Sequence, residues 1–254
     1  MIKIRLNSIR RKVLRIIIPE FIWPKITYLD GVPIQVRNRK YSFGSKRILT
    51  NGSYEEAERD LLKIIDITGF NVIEMGSSIG ILTQILAYRV GKSGIIIGIE
   101  ADLEIASQTK ADLHGLSNIH ILHGYAFPVF KIEQQINIVD FNKALGSLGG
   151  IVTFELVSIQ TQASKENEKI YDIERIIKET QIKPDMLVID IEGSEQMILS
   201  CKSLFPKSIK YILMELHPGI YSQQISNEIV ENLQSSGFYV VMKIDNSYLF
   251  HRDN

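Results

Sequence analysis

The sequence predicts an α/β chain: a Rossmann-like, mostly parallel sheet with an antiparallel C-terminal hairpin and a small N-terminal α+β appendage. Three observations carry this. The runs Val72 to Met75, Ile95 to Ile99, Ile119 to Leu122, Met186 to Ile191 and Tyr211 to Leu216 are short and almost wholly apolar, the pattern of strands buried on both faces. Segments of helical length and period alternate with them, which makes a βαβ succession. The first run passes straight into a glycine-containing turn and then a helix, the arrangement in which open α/β sheets bind ligands.

Composition sets the frame. The 254 residues are 45% hydrophobic and 23% charged, enough to build a core and unlike a disordered chain. Cys201 is the only cysteine, which excludes an intrachain disulfide framework and a cysteine-based zinc site and makes a reducing, cytoplasmic setting the expectation. The net charge is zero, yet residues 1–49 hold 12 Lys and Arg against Glu20 and Asp30, leaving 17 basic and 27 acidic residues in the remainder. An acidic body disfavours a large nucleic-acid surface, so no nucleic-acid partner is expected. The charge step and the pattern change place an appendage at residues 1–49 and the main domain at residues 50–254.

Taken in order, Lys3 to Ile18 carries six basic residues and no acid, with Ile2, Leu6, Ile9, Val13 and Ile16 on one helical face ahead of Pro19. Such a segment either packs on its own domain or makes a peripheral contact with an anionic membrane surface, here the inner one. Arg15, Pro19 and Glu20 break the apolar run that a secretory signal needs, and no window is long enough to span a bilayer. Tyr28 to Val36 alternates about Asp30-Gly31, a hairpin signal. Ser53-Tyr-Glu-Glu56 has the form of a capping box for a helix running to about Thr68 and ending at Gly69. Beyond the first strand, helices are expected over Ile79 to Val90, Asp102 to Leu113, Asp172 to Thr180, Ser194 to Phe205 and Ser222 to Ser236. Tyr239 to Ile244 and Tyr248 to His251 form the closing hairpin at the far edge of the sheet. Between residues 127 and 183 a strand at Val152 to Ile159 is expected, with loops at Gly146 to Gly150 and Gln162 to Lys169.

Chemistry concentrates at strand ends. Val72-Ile-Glu74-Met-Gly76-Ser-Ser78-Ile-Gly80 joins strand, turn and helix. Its glycines admit a ligand close to the backbone and the following helix offers unpaired N–H groups. The spacing is Gly-x-x-x-Gly, not the Gly-x-Gly-x-x-Gly of dinucleotide sites, and an acid at Glu74 suits a cationic ligand such as the sulfonium S-adenosylmethionine better than a pyrophosphate. A turn built only for strand-to-helix packing is the plain alternative. Glu100 ends the second strand near the spacing at which an acid takes a ribose hydroxyl pair, the alternative being a helix cap. Asp190-Ile-Glu192-Gly193-Ser-Glu195 and Glu215-Leu-His217 end the fourth and fifth strands, where they either converge on the ligand crevice or bond loop N–H groups. Glu195 reads as an ordinary first-turn helix acid.

Together, Tyr54-Glu55, Glu74-x-Gly76-x-x-x-Gly80, Glu100, Asp190-x-Glu192-Gly193-x-Glu195 and Glu215-x-His217 resemble the FkbM-type S-adenosylmethionine-dependent methyltransferases over roughly residues 50–217. The chain departs from that pattern at Ser77 and Ser78, and at His123-Gly124-Tyr125 before Ala126. The resemblance implies a class I methyltransferase sheet, S-adenosylmethionine as cofactor, and O-methylation of a small-molecule or glycan hydroxyl. Glu74, Gly76, Ser78, Gly80, Glu100, Tyr125, Ala126 and Asp190 would contact the cofactor. Asp190, then His217, then Glu192 are the candidates for the base that such a hydroxyl needs, Asp190 on position and His217 on its unperturbed pKa near 6.5. No metal is assigned, although Asp190, Glu215 and His217 could share a divalent ion. A nicotinamide-dependent oxidoreductase and a non-catalytic nucleotide-binding scaffold are the competing readings, the first opposed by the turn spacing.

Overall fold

The computed structural model describes residues 20–38, 41–129, 169–200 and 205–253. The basic segment 3–18, the strand expected at Val152 to Ile159, the loop Gly146 to Gly150 and nearly all of the loop from Gln162 lie outside the described residues. The chain forms two compact units, residues 1–59 and 60–254. The boundary expected after residue 49 falls inside a helix, α1 (Phe43–Thr50), whose Leu49 is fully buried.

In the first unit β1 (Ile26–Leu29) and β2 (Val32–Gln35) pair antiparallel. Asp30 and Gly31 both have positive φ, 49° and 82°, the tight turn that an Asp-Gly pair predicts. Leu29, Val32 and Ile34 bury the inward face. Ser42 caps α1 by accepting from the Ser45 N–H at 3.0 Å. Arg59 Nε pairs with Asp30 Oδ2 at 3.1 Å, and its Nη1 donates to the Gly52 carbonyl at 3.0 Å. One guanidinium thereby ties the hairpin tip to the chain entering α2 (Glu56–Leu62).

α2 ends well before the expected Thr68. The β-branched run Ile64, Ile65, Ile67, Thr68 has low helix propensity. Asp66 completes the break by accepting from the N–H and Oγ1 of Thr68 at 2.9 and 2.7 Å, a local turn that competes with the helix. The expected capping box is absent too: Ser53 Oγ bonds Asn51 Oδ1, and Glu55 sits at φ 43°.

The second unit is a seven-stranded sheet in the order β10-β11-β9-β8-β3-β4-β5. Its strands are β3 (Val72–Met75), β4 (Ile96–Glu100), β5 (Ile119–His123), β8 (Met186–Ile189), β9 (Tyr211–Glu215), β10 (Tyr239–Ile244) and β11 (Ser247–His251). β3, β4, β5, β8 and β9 are parallel, and β11 runs antiparallel to both its neighbours. The short β6 (Tyr125–Ala126) and β7 (Ile170–Tyr171) pair separately. Helices are α3 (Ile81–Val90), α4 (Leu103–Asp112), α5 (Ile173–Thr180) and α6 (Gln223–Ser235).

Alternation along the strands divides the core. Ile73, Ile97, Leu187 and Ile212 face α5 and α6, meeting Ile173, Ile176, Ile229 and Leu233. Val72, Ile96, Met186 and Leu213 face the other way, meeting Leu61 and Leu62 of α2 and Leu82, Leu86 and Val90 of α3. The sheet is thus covered on both faces, as its apolar strands require. The last strand inserts between β9 and β10 and leaves β10 at the edge. β11 has Leu249 and Phe250 fully buried, whereas Tyr239, Val241 and Met242 of β10 are exposed, so the deeper burial falls to the inner strand. A 3₁₀ helix, Ser194–Ser200, replaces the α-helix expected from Ser194.

The β3–α3 turn passes against the end of β8. A Cβ on Gly76 would lie 1.7 Å from the Asp190 carbonyl oxygen, and φ there is +89°, whereas Gly31 has φ +82° with nothing within 4 Å. Gly76→Ala is expected to destabilise the protein by about 3 kcal/mol or more and Gly31→Ala by only about 1–2 kcal/mol, the cost of the left-handed backbone alone. Urea denaturation of both variants checks this; equal losses would show that the close approach is not a constraint.

Candidate active site

The turn after β3 is held from three directions. The N–H groups of Gly76 and Ser77 donate to the Ile99 carbonyl at 2.9 and 3.0 Å, binding it to β4. The Ser78 N–H donates to Glu100 Oε2 at 2.9 Å, and Thr109 Oγ1 of α4 donates to the Ser78 carbonyl at 2.8 Å. Ser78 itself is left-handed at φ 46°. Gly80, at φ 76°, is the N-cap of α3 and supplies no side-chain cap, so the first amides of α3 remain for a ligand. A Cβ on Gly80 would meet Thr109 Cγ2 at 2.5 Å.

Glu100 does not cap α4. Asp102 does, accepting from the Ile105 N–H at 2.9 Å, while Glu100 Oε1 accepts from the Asp102 N–H at 2.8 Å. Glu100 therefore clamps the turn to the start of α4, and burial raises its pKa despite these bonds. Tyr125 and Ala126 follow the end of β5 alongside: the Gly124 N–H donates to the Glu100 carbonyl at 2.9 Å, and Tyr125 N–H to the Lys169 carbonyl at 2.9 Å.

Glu74 departs from the sequence reading. It is 2% exposed, with Thr83 Oγ1 donating to Oε2 at 2.6 Å. Burial, partly offset by that hydrogen bond and reinforced by Asp190 and Glu100 nearby, pushes its carboxyl up to about 8. A group largely protonated at neutral pH neither repels a pyrophosphate nor attracts a sulfonium strongly, so the charge argument made for Glu74 falls away. The glycine spacing and the two amides taken by Glu100 remain.

The ends of β8 and β9 form a second group. Glu192 at φ 50° and Gly193 at φ 108° make a sharp left-handed turn that brings Glu195 back beneath the strand ends. Glu195 is fully buried and accepts from the N–H groups of Ile191 at 3.0 Å and Gly193 at 2.9 Å. Its Oε1 lies 3.3 Å from His217 Nδ1. On the other side, His217 Nε2 lies 3.5 Å from Asp190 Oδ1, 3.5 Å from Glu192 Oε2 and 4.0 Å from Glu215 Oε2. The Tyr221 hydroxyl accepts from the His217 N–H at 2.7 Å and fixes its backbone. Burial alone would lower the His217 pKa, but Glu195, then Asp190 and Glu192, outweigh it and raise it to about 9. The chemical preference for His217 as base, made from its unperturbed value, is thereby reversed: an imidazolium that persists to about 9 does not accept a proton at neutral pH. Burial, then Glu215, push Asp190 up to about 7, with His217 opposing.

The structure brings Asp190, Glu192, Glu215 and His217 together and sets them against the glycine turn through Gly76. Glu195, read from sequence as a first-turn helix acid, is also the group beside the imidazole, 3.3 Å from Nδ1. Its place three residues after Glu192 and across a glycine was the available signal. Thr83 and Thr109, which hold Glu74 and Ser78, gave none.

The raised Glu74 pKa has a definite sign in stability. The native state keeps the proton between the ordinary 4.5 and about 8, so its contribution is full below 4.5 and is lost as pH rises through 8. Wild-type stability should fall over that window with a slope of up to about 1.4 kcal/mol per pH unit from this group. Glu74→Gln should flatten it. Denaturation midpoints from pH 5 to 9 decide, and an unchanged slope in the variant would refute the assignment.

The chain is similar in part to known methyltransferases. The family model described as protein-L-isoaspartate (D-aspartate) O-methyltransferase matches residues 53–127. A curated relative from Thermococcus sibiricus, named "Probable ribosomal RNA small subunit methyltransferase A", is 24% identical over 182 residues, covering 70% of this chain and 52% of its own. The chain thus spans about half the length of that relative. Among solved structures, Aeropyrum pernix fibrillarin with natively bound S-adenosyl-L-methionine is 12% identical at a TM-score of 0.41, covering 74% of this chain and 67% of its own. An S-adenosylmethionine-dependent O-methyltransferase from Thermotoga maritima is 15% identical at 0.40, covering 76% and 62%. The expectation of no nucleic-acid partner does not stand against a relative named for ribosomal RNA. It rested on the net charge of the body, and a sum over a chain does not describe any one surface. Among the described residues no helix is long and apolar enough to cross a membrane. The strand order β5-β4-β3-β8-β9-β11-β10 has only β11 reversed, and the segment similar to the methyltransferase family model, residues 53–127, holds the glycine turn and Glu100.

Proposed function

We propose that this chain is an FkbM-type methyltransferase that uses S-adenosylmethionine to methylate an acceptor oxygen at the ends of β8 and β9. One observation carries the reading: the turn of Gly76, Ser78 and Gly80 touches the Asp190 backbone, so a ligand on that turn lies beside the cluster of Asp190, Glu192 and His217. The residues fit the cofactor. An uncapped α3 N-terminus behind two left-handed glycines can take its amino-acid end. Glu100, at the end of β4, would take the ribose, and Tyr125 and Ala126, which follow β5, would meet the adenine. Bound there, S-adenosylmethionine supplies an electrophilic methyl carbon. Asp190 Oδ1, buried and accepting no hydrogen bond, is the oxygen best placed to draw the proton from an acceptor hydroxyl, and Glu195 and Tyr221 hold His217 as its neighbour.

For the acceptor, the sequence resemblance favours a sugar or polyketide hydroxyl. RNA is the second reading, supported by the name of the curated relative and by the 12 Lys and Arg of residues 1–49. Transfer of radiolabelled methyl groups to ribosomal RNA, to glycans and to isoaspartyl peptides separates the acceptor classes. Transfer to RNA should weaken steeply with salt.

Asp190→Asn and His217→Ala should each lower turnover by roughly 100-fold while changing cofactor affinity little. Glu100→Ala should do the opposite, weakening S-adenosylmethionine and its demethylated product by about 1–3 kcal/mol through loss of a charged partner. Calorimetry and steady-state kinetics on the same preparations test both. Absence of cofactor binding by the folded wild type would end the proposal.

A further inference from the structure

The surroundings of His217 exceed what a single base requires. Its Nδ1 faces Glu195, which is fully buried and pinned by the amides of Ile191 and Gly193. A carboxylate on that side favours the proton on Nδ1 and leaves Nε2 facing the opposite side. There Nε2 meets three carboxylate oxygens, from Asp190 and Glu192 at 3.5 Å and Glu215 at 4.0 Å. Asp190 Oδ1 is buried and accepts no hydrogen bond, although it points at the same space. An imidazole lone pair facing several carboxylates is repulsive unless a cation lies among them. A proton cancels one of those charges and a divalent ion two.

The geometry matches the second occupant. One ligand atom each from Asp190, Glu192 and His217 lies within 4.8 Å of the others. Neighbouring ligands of an octahedral ion with bonds near 2.1 Å stand about 3 Å apart, so the 3.5 Å separations close with small side-chain movements. A carboxylate behind the imidazole, on the nitrogen away from the ion, is the usual arrangement that fixes the tautomer of a ligating histidine. We infer that Asp190 Oδ1, Glu192 Oε2 and His217 Nε2 bind a divalent cation of the magnesium or manganese class, with Glu195 as the positioning residue behind the imidazole. Carboxylate oxygens with one nitrogen and no thiolate favour these harder ions. The inference deepens the proposed methyl transfer and rests on it for purpose only. A cation at the acceptor end lowers the pKa of a hydroxyl placed on it, while the binding itself depends on these side chains alone.

Manganese is the probe, titrated into the metal-free full chain and followed by electron paramagnetic resonance and calorimetry, with binding of the demethylated cofactor measured on the same sample. One saturable ion per chain is expected, displaced by magnesium, with imidazole nitrogen coupling that disappears in His217→Gln. Glu192 is 71% exposed in its side chain, so Glu192→Gln is safe for folding and should weaken manganese binding at least 10-fold. Glu195→Gln, which leaves all three ligands in place, should weaken it 10- to 100-fold, about the range for an outer-shell partner. No saturable binding into the millimolar range, or binding unaffected by both Glu192→Gln and His217→Gln, overturns the inference. Cofactor binding without manganese binding removes the cation and leaves methyl transfer standing, whereas manganese binding without cofactor binding supports the cation and removes methyl transfer.

Discussion

The close approach of Gly76 to the Asp190 carbonyl is the constraint on which the rest of this structure depends. A parallel sheet places β3 and β8 side by side, with Ile73 opposite Leu187 and Met75 opposite Ile189. The ladder continues past the strand ends through the Asp190 N–H, which donates to the Met75 carbonyl at 3.0 Å. At that level the chain leaving β3 must bend toward α3 without striking β8. A residue with no Cβ and a left-handed φ is what allows it. Two groups distant in sequence, the glycine turn and the acid pair Asp190 and Glu192, are thereby fixed to one another by backbone. Side-chain flexibility hardly enters, and preorganisation of this kind is what transfer between two bound reactants requires.

The same strand ends concentrate charge. Asp190, Glu192, Glu195, Glu215 and one imidazole share a space a few ångströms across. Glu195 accepts from two amides and lies 3.3 Å from His217 Nδ1, and so forms a fixed part of the scaffold. Asp190 Oδ1 lacks that compensation, as its raised pKa records. Burial of like charges without partners is unfavourable by several kcal/mol, and folds keep such arrangements where a ligand or a reaction uses them. Glu74 shows the other solution. Buried within β3 and hydrogen-bonded by Thr83, with Asp190 and Glu100 nearby, it holds its proton.

Much of this architecture was legible in the sequence, because strands buried on both faces leave apolar runs that cannot be mistaken for surface. The turn residues were equally clear where the backbone demands them, at Asp30-Gly31 and at Gly76. What escaped was tertiary. The length of α2 was overread because periodicity continued after propensity failed, and Asp66 captured Thr68 by a bond that no pattern announces. β11 took the inner place in the sheet because burial, which pairs Phe250 with Ile212, outweighed chain order. In the site, residue positions were readable but protonation was not. A carboxylate in the Gly-x-x-x-Gly turn looks charged on paper, and only burial reveals Glu74 as neutral at pH 7. His217 erred the other way, since Glu195, Asp190 and Glu192, beyond the end of β8, hold a proton that its composition would release.

The extent of the family match bears on the acceptor. Residues 53–127 cover α2, β3, α3, β4, α4, β5 and β6, which is the side of the sheet that carries the glycine turn and Glu100. Asp190, Glu192, Glu195, Glu215 and His217 lie on the other side of β3, beyond the matched segment. The matched segment and the acid–imidazole cluster therefore meet at the point where strand order reverses, between β3 and β8, which is where open α/β sheets place their ligands. On the proposed reading the matched segment holds the methyl donor and carries no information on what is methylated. On the same reading that information resides in the acid–imidazole cluster. A cluster built from oxygen ligands around one oriented imidazole is suited to an acceptor that presents an oxygen and must lose a proton, whether that oxygen belongs to a sugar or to the ribose of an RNA.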